Sequence, residues 1–155
     1  MRVFVILHNI RSAHNVGSVF RTADGSGVSK VYLTGYTPTP IDRFGREQKE
    51  ILKTSLGATH TVPYEVVEDF EALLGQLKSE GLEIIAVEQT NKALDYRTFV
   101  PEGDVAFVFG NEITGVEDDV LVSSDQHIMI PMSGAKESLN VSVCAGVILF
   151  KFQNQ

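Results

Sequence analysis

Short apolar runs that alternate with amphipathic stretches are the feature of this sequence that most restricts its fold. Five such runs cover residues 2–7, 30–33, 83–87, 105–109 and 127–130. A run that is apolar in succession, without polar alternation, is typical of a strand buried on both faces of a parallel sheet. Because helical patterns separate these runs, the 155 residues predict one α/β domain with a mostly parallel sheet and helices on both faces.

Helical periodicity fills most of the intervals between the strands. The predicted helices cover residues 16–23, 47–56, 68–80, 117–122 and 138–152. A weak strand at residues 61–64 carries Pro63, which favours a position near a sheet edge. Asn15 and Ser138 are candidate N-caps, because their side-chain oxygens can accept free amides of a first helical turn. The last helix is apolar almost all round, which predicts burial on every side and a subunit interface.

Charge is unevenly distributed along the chain. The formal net charge of −7 argues against a protein that coats nucleic acid. Residues 1–60, however, hold 8 Lys/Arg and 4 Asp/Glu, a net +4, whereas residues 61–155 hold 5 and 16, a net −11. A basic amino-terminal third is compatible with one face that meets phosphates, and uneven surface charge explains it equally well.

Several other classes of protein are disfavoured. The amino-terminal apolar run is too short to span a bilayer and no cleavage-site pattern follows it, so a cytoplasmic protein is expected. The single Cys144 cannot form an internal disulfide or a cysteine zinc site. Residues 110–115 have the glycine spacing of a P-loop, but Val116 and Glu117 stand where Lys and Ser/Thr are required. Ordinary NTPase chemistry is therefore not expected.

Three segments remain as candidates for one binding site. They are residues 15–21 (NVGSVFR), 109–115 (FGNEITG) and 130–150 (IPMSGAKESLNVSVCAGVILF). Two of them directly follow predicted strands, and ligands of parallel sheets bind beyond the carboxyl ends of strands. Gly110 and Gly134 are expected where backbone bends sharply and approaches a flat ligand.

The patterns NxGxxxR, FGNExxG and IPMxGxxxSLNVSVxxG in these segments resemble the three motifs of the SpoU family, the TrmH-like branch of the SPOUT RNA methyltransferases. The resemblance covers almost the whole chain. It implies transfer of a methyl group from S-adenosylmethionine to a ribose 2′-oxygen of tRNA or rRNA, without a metal. It also implies a trefoil knot at the carboxyl terminus, an exception to the rule that chains avoid knots, and a homodimer.

The resemblance also implies roles for individual residues. The catalytic set is Arg21, Asn15, Glu112, Ser138 and Asn140. The cofactor-binding set is Val87, Gly110, Ile130, Met132, Leu139 and Ser138. A guanidinium stays protonated in proteins, so we expect Arg21 to hold an RNA phosphate and stabilise the developing alkoxide rather than act as a base. Glu112 is expected to orient Arg21 or Asn15, or to cap backbone amides of its own turn.

Two other functions remain open on the sequence. A noncatalytic RNA- or cofactor-binding protein can share this fold, and related SPOUT enzymes methylate bases instead of ribose. We expect residues 1–155 to form a single methyltransferase domain without a separate RNA-binding domain, and RNA to be bound by the dimer or by an accessory RNA-binding protein. The loop with Arg43, Arg46, Lys49 and Lys53 is a candidate phosphate track, with exposed charge as the simpler explanation.

Overall fold

The strands at the centre of the sheet are buried at every position, as their continuous apolar sequence requires. The computed structural model describes residues 1–153. Its strands are β1 (Val3–His8), β2 (Lys30–Thr34), β3 (Tyr64–Val67), β4 (Glu83–Val87), β5 (Leu94–Asp95), β6 (Val105–Phe109) and β7 (Gln126–Met129). Within these residues they form one sheet in the order β3-β2-β1-β6-β4-β7-β5, and every pair is parallel. The predicted parallel sheet is confirmed.

Helices cover both faces of the sheet, as predicted. They are α1 (Ala13–Ser26), α2 (Lys49–Ser55), α3 (Ala58–Thr61), α4 (Phe70–Ser79), α5 (Asp118–Ser123) and α6 (Val141–Phe152). Alternate residues of a strand point to opposite faces. Accordingly, Val5 and Leu7 of β1 join the apolar cluster that contains residues of α1, α2, α3 and α6, whereas Phe4 and Ile6 join the cluster with α4 and α5.

Both predicted N-caps are wrong, because each helix is capped by a neighbouring residue. Helix α1 begins earlier than expected, and Ser12 is its N-cap, with its Oγ accepting a hydrogen bond from Asn15 N at 3.2 Å. Helix α6 begins later than expected, at Val141, and its N-cap is Asn140 rather than Ser138. Asn15 and Ser138 therefore have no capping role.

The weak strand lies later in the chain than predicted. The short helix α3 occupies residues 58–61, and β3 starts at Tyr64, immediately after Pro63. The carbonyl oxygen of Pro63 accepts a hydrogen bond from Val31 N at 2.9 Å, so pairing with β2 begins as soon as the proline has passed. The edge position expected for this strand is confirmed. The segment at residues 88–100, for which no regular element is predicted, contains the two-residue strand β5.

The last helix is not buried on every side within a single chain. Ala145, Ile148 and Phe152 of α6 are buried against the core. On the other side, the side chains of Val143 and Phe150 are 52% and 49% exposed. In the single chain α1 and the sheet cover only one face of α6, so complete burial would need the expected subunit interface, which stays a prediction.

The parallel arrangement brings the carboxyl ends of all strands to one edge of the sheet. The segment with Gly110 leaves the sheet at this edge after β6, and the segment with Gly134 leaves it there after β7. The trefoil knot stays a prediction. No helix within residues 1–153 is both long and apolar enough to cross a membrane.

Candidate functional site

A cavity of about 320 Å³ lies at the carboxyl edge of the sheet, beyond β4, β6 and β7. Its walls come from the segments that follow these three strands and from the first turn of α6. All six residues expected to hold the cofactor line it: Val87, Gly110, Ile130, Met132, Ser138 and Leu139. Glu112 of the expected catalytic set lines it as well. The carboxyl ends of the strands therefore converge as the sequence indicated.

The segment after β6 is a tight turn held by its own backbone. Asn111 N donates to Gly115 O at 3.1 Å and Gly115 N donates to Asn111 O at 2.9 Å. A side-chain carbon added at Gly110 would lie 2.5 Å from Gly115 O and 2.6 Å from Val116 N. Glycine is required at position 110 because the protein's own backbone approaches it so closely. Gly134 differs, since an added carbon there would meet nothing within 4 Å.

Two polar residues that sequence reasoning did not select also line the cavity. Glu88 follows β4, and its carboxylate accepts hydrogen bonds from Val116 N at 2.8 Å and Gln89 N at 2.7 Å. The side-chain amide of Gln89 donates to Ile130 O at 2.7 Å and so ties the end of β4 to the end of β7. Their position directly after a buried strand could have identified Glu88 and Gln89 as candidate site residues from the sequence.

Glu112 joins the turn after β6 to the loop before α1. Its carboxylate accepts hydrogen bonds from Arg11 N at 2.9 Å, Ser12 N at 3.0 Å and Asn15 Nδ2 at 3.1 Å. Partial burial raises the pKa of Glu112, but these hydrogen bonds outweigh it and hold the pKa below the usual value of 4.5. Of the contacts expected for Glu112, the one with Asn15 is present, and the amides of Arg11 and Ser12 that its carboxylate also caps belong to the opposite loop.

Asn15 connects Glu112 to the last helix. While its Nδ2 donates to Glu112, its Oδ1 accepts a hydrogen bond from Asn140 Nδ2 at 3.3 Å. Asn140 Oδ1 in turn accepts from Ser142 N at 2.9 Å and Val143 N at 3.4 Å, as the N-cap of α6. The pairs Asn15–Glu112 and Asn15–Asn140 are separated by 97 and 125 residues in sequence. One polar network therefore joins all three segments beside the cavity.

The sequence model of the SpoU rRNA Methylase family matches residues 2–150 of this chain. The chain belongs to this family. It is 34% identical over 153 residues to a 23S rRNA (guanosine-2′-O-)-methyltransferase of Neisseria meningitidis, a match that covers 99% of this chain and 58% of that protein. It is 29% identical over 151 residues to the tRNA (guanosine(18)-2′-O)-methyltransferase of Escherichia coli, covering 97% and 62%.

Solved structures agree with the family assignment. An AdoMet-bound rRNA methyltransferase from Sinorhizobium meliloti superimposes on this SpoU-family chain with a TM-score of 0.87, at 26% identity, and covers 97% of this chain and 55% of that one. The chain thus spans somewhat more than half the length of these relatives.

Arg21 stands apart from the polar network of this SpoU-family chain. It is exposed on α1, it does not line the cavity, and its guanidinium makes no hydrogen bond or ion pair with residues 1–153. Gly17, one turn before Arg21 on α1, packs closely against α2. A carbon added at Gly17 would strike Thr54 Oγ1 and lie 2.6 Å from Ile51 O, so Gly17 permits the close packing of α1 on α2.

Ser138 and Cys144 bring a hydroxyl and a thiol to the cavity. Ser138 is exposed, and within the described chain its hydroxyl has no hydrogen-bond partner, which leaves it available to a ligand. Burial, with a smaller contribution from the Glu88 charge, raises the pKa of Cys144 to about 12. Cys144 therefore stays a thiol at neutral pH and is no nucleophile.

Proposed function

We propose that this SpoU-family chain transfers a methyl group from S-adenosylmethionine to a ribose 2′-oxygen of tRNA or rRNA. The observation that carries the proposal is the cavity at the carboxyl edge, bordered by the network of Glu112, Asn15 and Asn140. The names of the two relatives, guanosine-2′-O-methyltransferases of 23S rRNA and of tRNA, support it. Because its substrates are RNAs of this kind, we assign the proposed activity to the cytoplasm.

The lining of the cavity fits S-adenosylmethionine in size and chemistry. Its volume of about 320 Å³ is typical of small-molecule sites. Ile130, Met132 and Leu139 offer apolar surface to an adenine ring and to methylene groups. Glu88 and Glu112 add carboxylates to the same walls, and these suit a ligand that carries an ammonium and a sulfonium.

Once bound there, the cofactor supplies an electrophilic methyl group on its sulfonium, and the chain positions the ribose hydroxyl. Asn140 Oδ1 already accepts hydrogen bonds from the first turn of α6, so Asn140 can offer the ribose only an amide N–H. Ser138 contributes a hydroxyl that both donates and accepts. Bringing the hydroxyl into line with the methyl group lowers the barrier through orientation.

Removal of the hydroxyl proton does not depend on Glu112 or Arg21 as a base. The Glu112 carboxylate has a lowered pKa and already accepts three hydrogen bonds, so it is a weak base. The Arg21 guanidinium stays protonated. We assign Arg21 to the RNA phosphate and to the developing alkoxide, and we assign proton removal to assistance by that phosphate.

Arg21 acts in a homodimer in this proposal, because it does not line the cavity of its own chain. Gly25, one turn after Arg21 on α1, lies beside the half-exposed Phe150 ring of α6. A second copy that covers Val143 and Phe150 would bury an apolar surface and approach Arg21 at the same time. Because the chain has a net charge of −7, the dimer alone should bind RNA weakly. An accessory RNA-binding protein would then supply the missing affinity.

Nucleoside analysis of RNA from a deletion strain tests the proposed reaction. We expect one 2′-O-methylnucleoside to disappear from tRNA or rRNA and to return when the gene is restored. Loss of a methylated base instead would assign the chain to the base-modifying branch. Unchanged RNA, combined with tight S-adenosylmethionine binding by calorimetry, would identify a noncatalytic protein and overturn the proposal.

Substitution of Arg21 tests its assigned role. We expect Arg21→Ala to lower turnover by about 100-fold or more, because a charge that stabilises the transition state is lost. Cofactor affinity should change by less than about twofold, since Arg21 does not line the cavity. Lys92→Ala, which removes another exposed cation, serves as the matched control. Equal losses of turnover and cofactor affinity would mean that Arg21 is structural.

A further inference from the structure

An exposed aromatic ring stands at the tip of the loop between β2 and α2. The side chain of Phe44 is 67% exposed, although a phenyl ring in water carries a hydrophobic cost. The guanidinium carbons of Arg43 and Arg46 lie 4.8 and 5.0 Å from its ring centroid, within cation–π distance. An aromatic face beside guanidinium groups is the kind of surface on which nucleic acid bases stack.

This tip is a rigid turn rather than a loose loop. The Asp42 carboxylate accepts hydrogen bonds from Phe44 N at 2.8 Å, Arg46 N at 2.9 Å and Arg46 Nε at 2.8 Å. Asp42 N donates to Arg46 O at 2.9 Å, and Gly45 adopts a φ of 76° that suits glycine. The turn therefore holds the Phe44 ring in place before any ligand binds, which reduces the entropic cost of binding.

The charge at the tip is positive on the side of Arg43. Arg46 forms an ion pair with Asp42, so these two charges largely cancel. Arg43 has no carboxylate within ion-pair distance among residues 1–153, which leaves its charge available for a phosphate. Lys49 and Lys53 on the adjacent helix α2 are also exposed.

The same loop is anchored to the candidate site at its base. Tyr36 OH accepts a hydrogen bond from Asn111 Nδ2 at 3.0 Å, and Asn111 belongs to the turn that lines the cavity. Tyr36 N donates to Asn9 Oδ1 at 3.1 Å. Phe44 follows Tyr36 closely in the chain, so the two lie within about 28 Å of each other even if the segment were fully extended. A single RNA strand can reach both places.

We propose that Phe44 and Arg43 form a stacking site for an unpaired base of the RNA substrate, outside the cavity. Phe44 supplies the stacking surface, and Arg43 contacts the adjoining phosphate. The site selects single-stranded RNA, because the faces of paired bases in a helix are already stacked on their neighbours. That RNA is the ligand rests on the proposed function, and the stacking geometry rests on the turn itself.

The chain contains no tryptophan, so Phe44→Trp provides a unique fluorescent probe of the tip. We expect a single-stranded adenylate RNA dodecamer to quench this fluorescence, and an RNA duplex of the same length to quench it much less. Val122→Trp is the control, since Val122 is 86% exposed on α5, away from the tip. Equal quenching of the two variants, or no quenching of either, would overturn the stacking site.

Phe44→Ala provides a second measurement that does not depend on a probe. The exposed ring can be removed without a core cavity, so thermal unfolding should be unchanged. We expect RNA affinity to fall by about tenfold and KM for RNA to rise, with kcat nearly unchanged. Normal KM and affinity in this variant would overturn the stacking site while leaving methyl transfer intact. If the wild-type chain were inactive but single-stranded RNA still quenched the Phe44→Trp variant, the proposed function alone would be overturned.

Discussion

The two walls of the cavity are built in opposite ways. In the turn at residues 110–116, the backbone amides of residues 111 and 113–116 donate hydrogen bonds to backbone carbonyls, to the Asn111 side chain or to the Glu88 carboxylate. In the segment at residues 131–139, all residues except Met132 are exposed, and none makes a hydrogen bond within residues 1–153. Both segments follow buried parallel strands and both contain glycine, so the difference comes from what each one packs against.

This contrast indicates a division of labour between the walls. A wall that is already hydrogen-bonded can position Glu112 and, through it, Asn15 without reorganisation. A wall without internal hydrogen bonds opens at low cost and is the natural place for ligand entry and closure. We therefore expect binding to order residues 131–139 and to leave residues 110–116 unchanged.

The largest expected effect is that of Gly110→Ala. The new methyl group would lie 2.5 Å from Gly115 O, and backbone cannot move aside as a flexible side chain can. We expect a loss of about 3 kcal/mol in the free energy of unfolding, measured by urea denaturation, together with weakened cofactor binding.

Gly134→Ala is the matched control for this change. An added carbon at Gly134 meets nothing within 4 Å, so stability should change by less than about 0.5 kcal/mol. Similar losses in the two variants would contradict the contrast between a closed and an open wall.

Glu112→Gln is expected to have a smaller effect that depends on pH. Because the pKa of Glu112 in the folded protein lies below 4.5, the stability from its charged form is present above pH 4.5 and is lost as pH falls through the folded pKa. We expect the variant to be about 2 kcal/mol less stable at pH 7, and the gap to close in acid. Urea denaturation at pH 7 and at a pH well below 4.5 measures it. A gap independent of pH would mean that the charge of Glu112 is unimportant.

The smallest expected effect concerns amide hydrogen exchange. Amides of residues 132–139 should exchange rapidly in the free protein, since they make no hydrogen bonds within the described chain. S-adenosylmethionine should slow them by about tenfold, whereas Asn111 and Gly115, whose amides are already bonded, should change little. Slow exchange of residues 132–139 without the cofactor would remove the distinction between the walls.

Capping residues show where local sequence reasoning reached its limit. Ser12, Asn15, Ser138 and Asn140 are all side chains that favour helix N-caps, so composition alone could not select among them. Which of these residues caps a helix depends on the direction in which the backbone enters that helix. Asn15 points its amide to Glu112 and Asn140, whereas Ser12 lies where its hydroxyl meets a free amide. The polar residues were recognisable, but their partners were not.

The sequence alone determined the parallel sheet and the two helical layers, because burial on both faces requires continuous apolar runs. It also determined the family, because the three motifs occur in the order that the family has. The closeness of Gly110 to Gly115, the partners of Glu112 and the isolation of Arg21 from the cavity emerged only after folding. Contacts across 97 and 125 residues depend on how the strand ends converge and on side-chain direction, which no local pattern encodes.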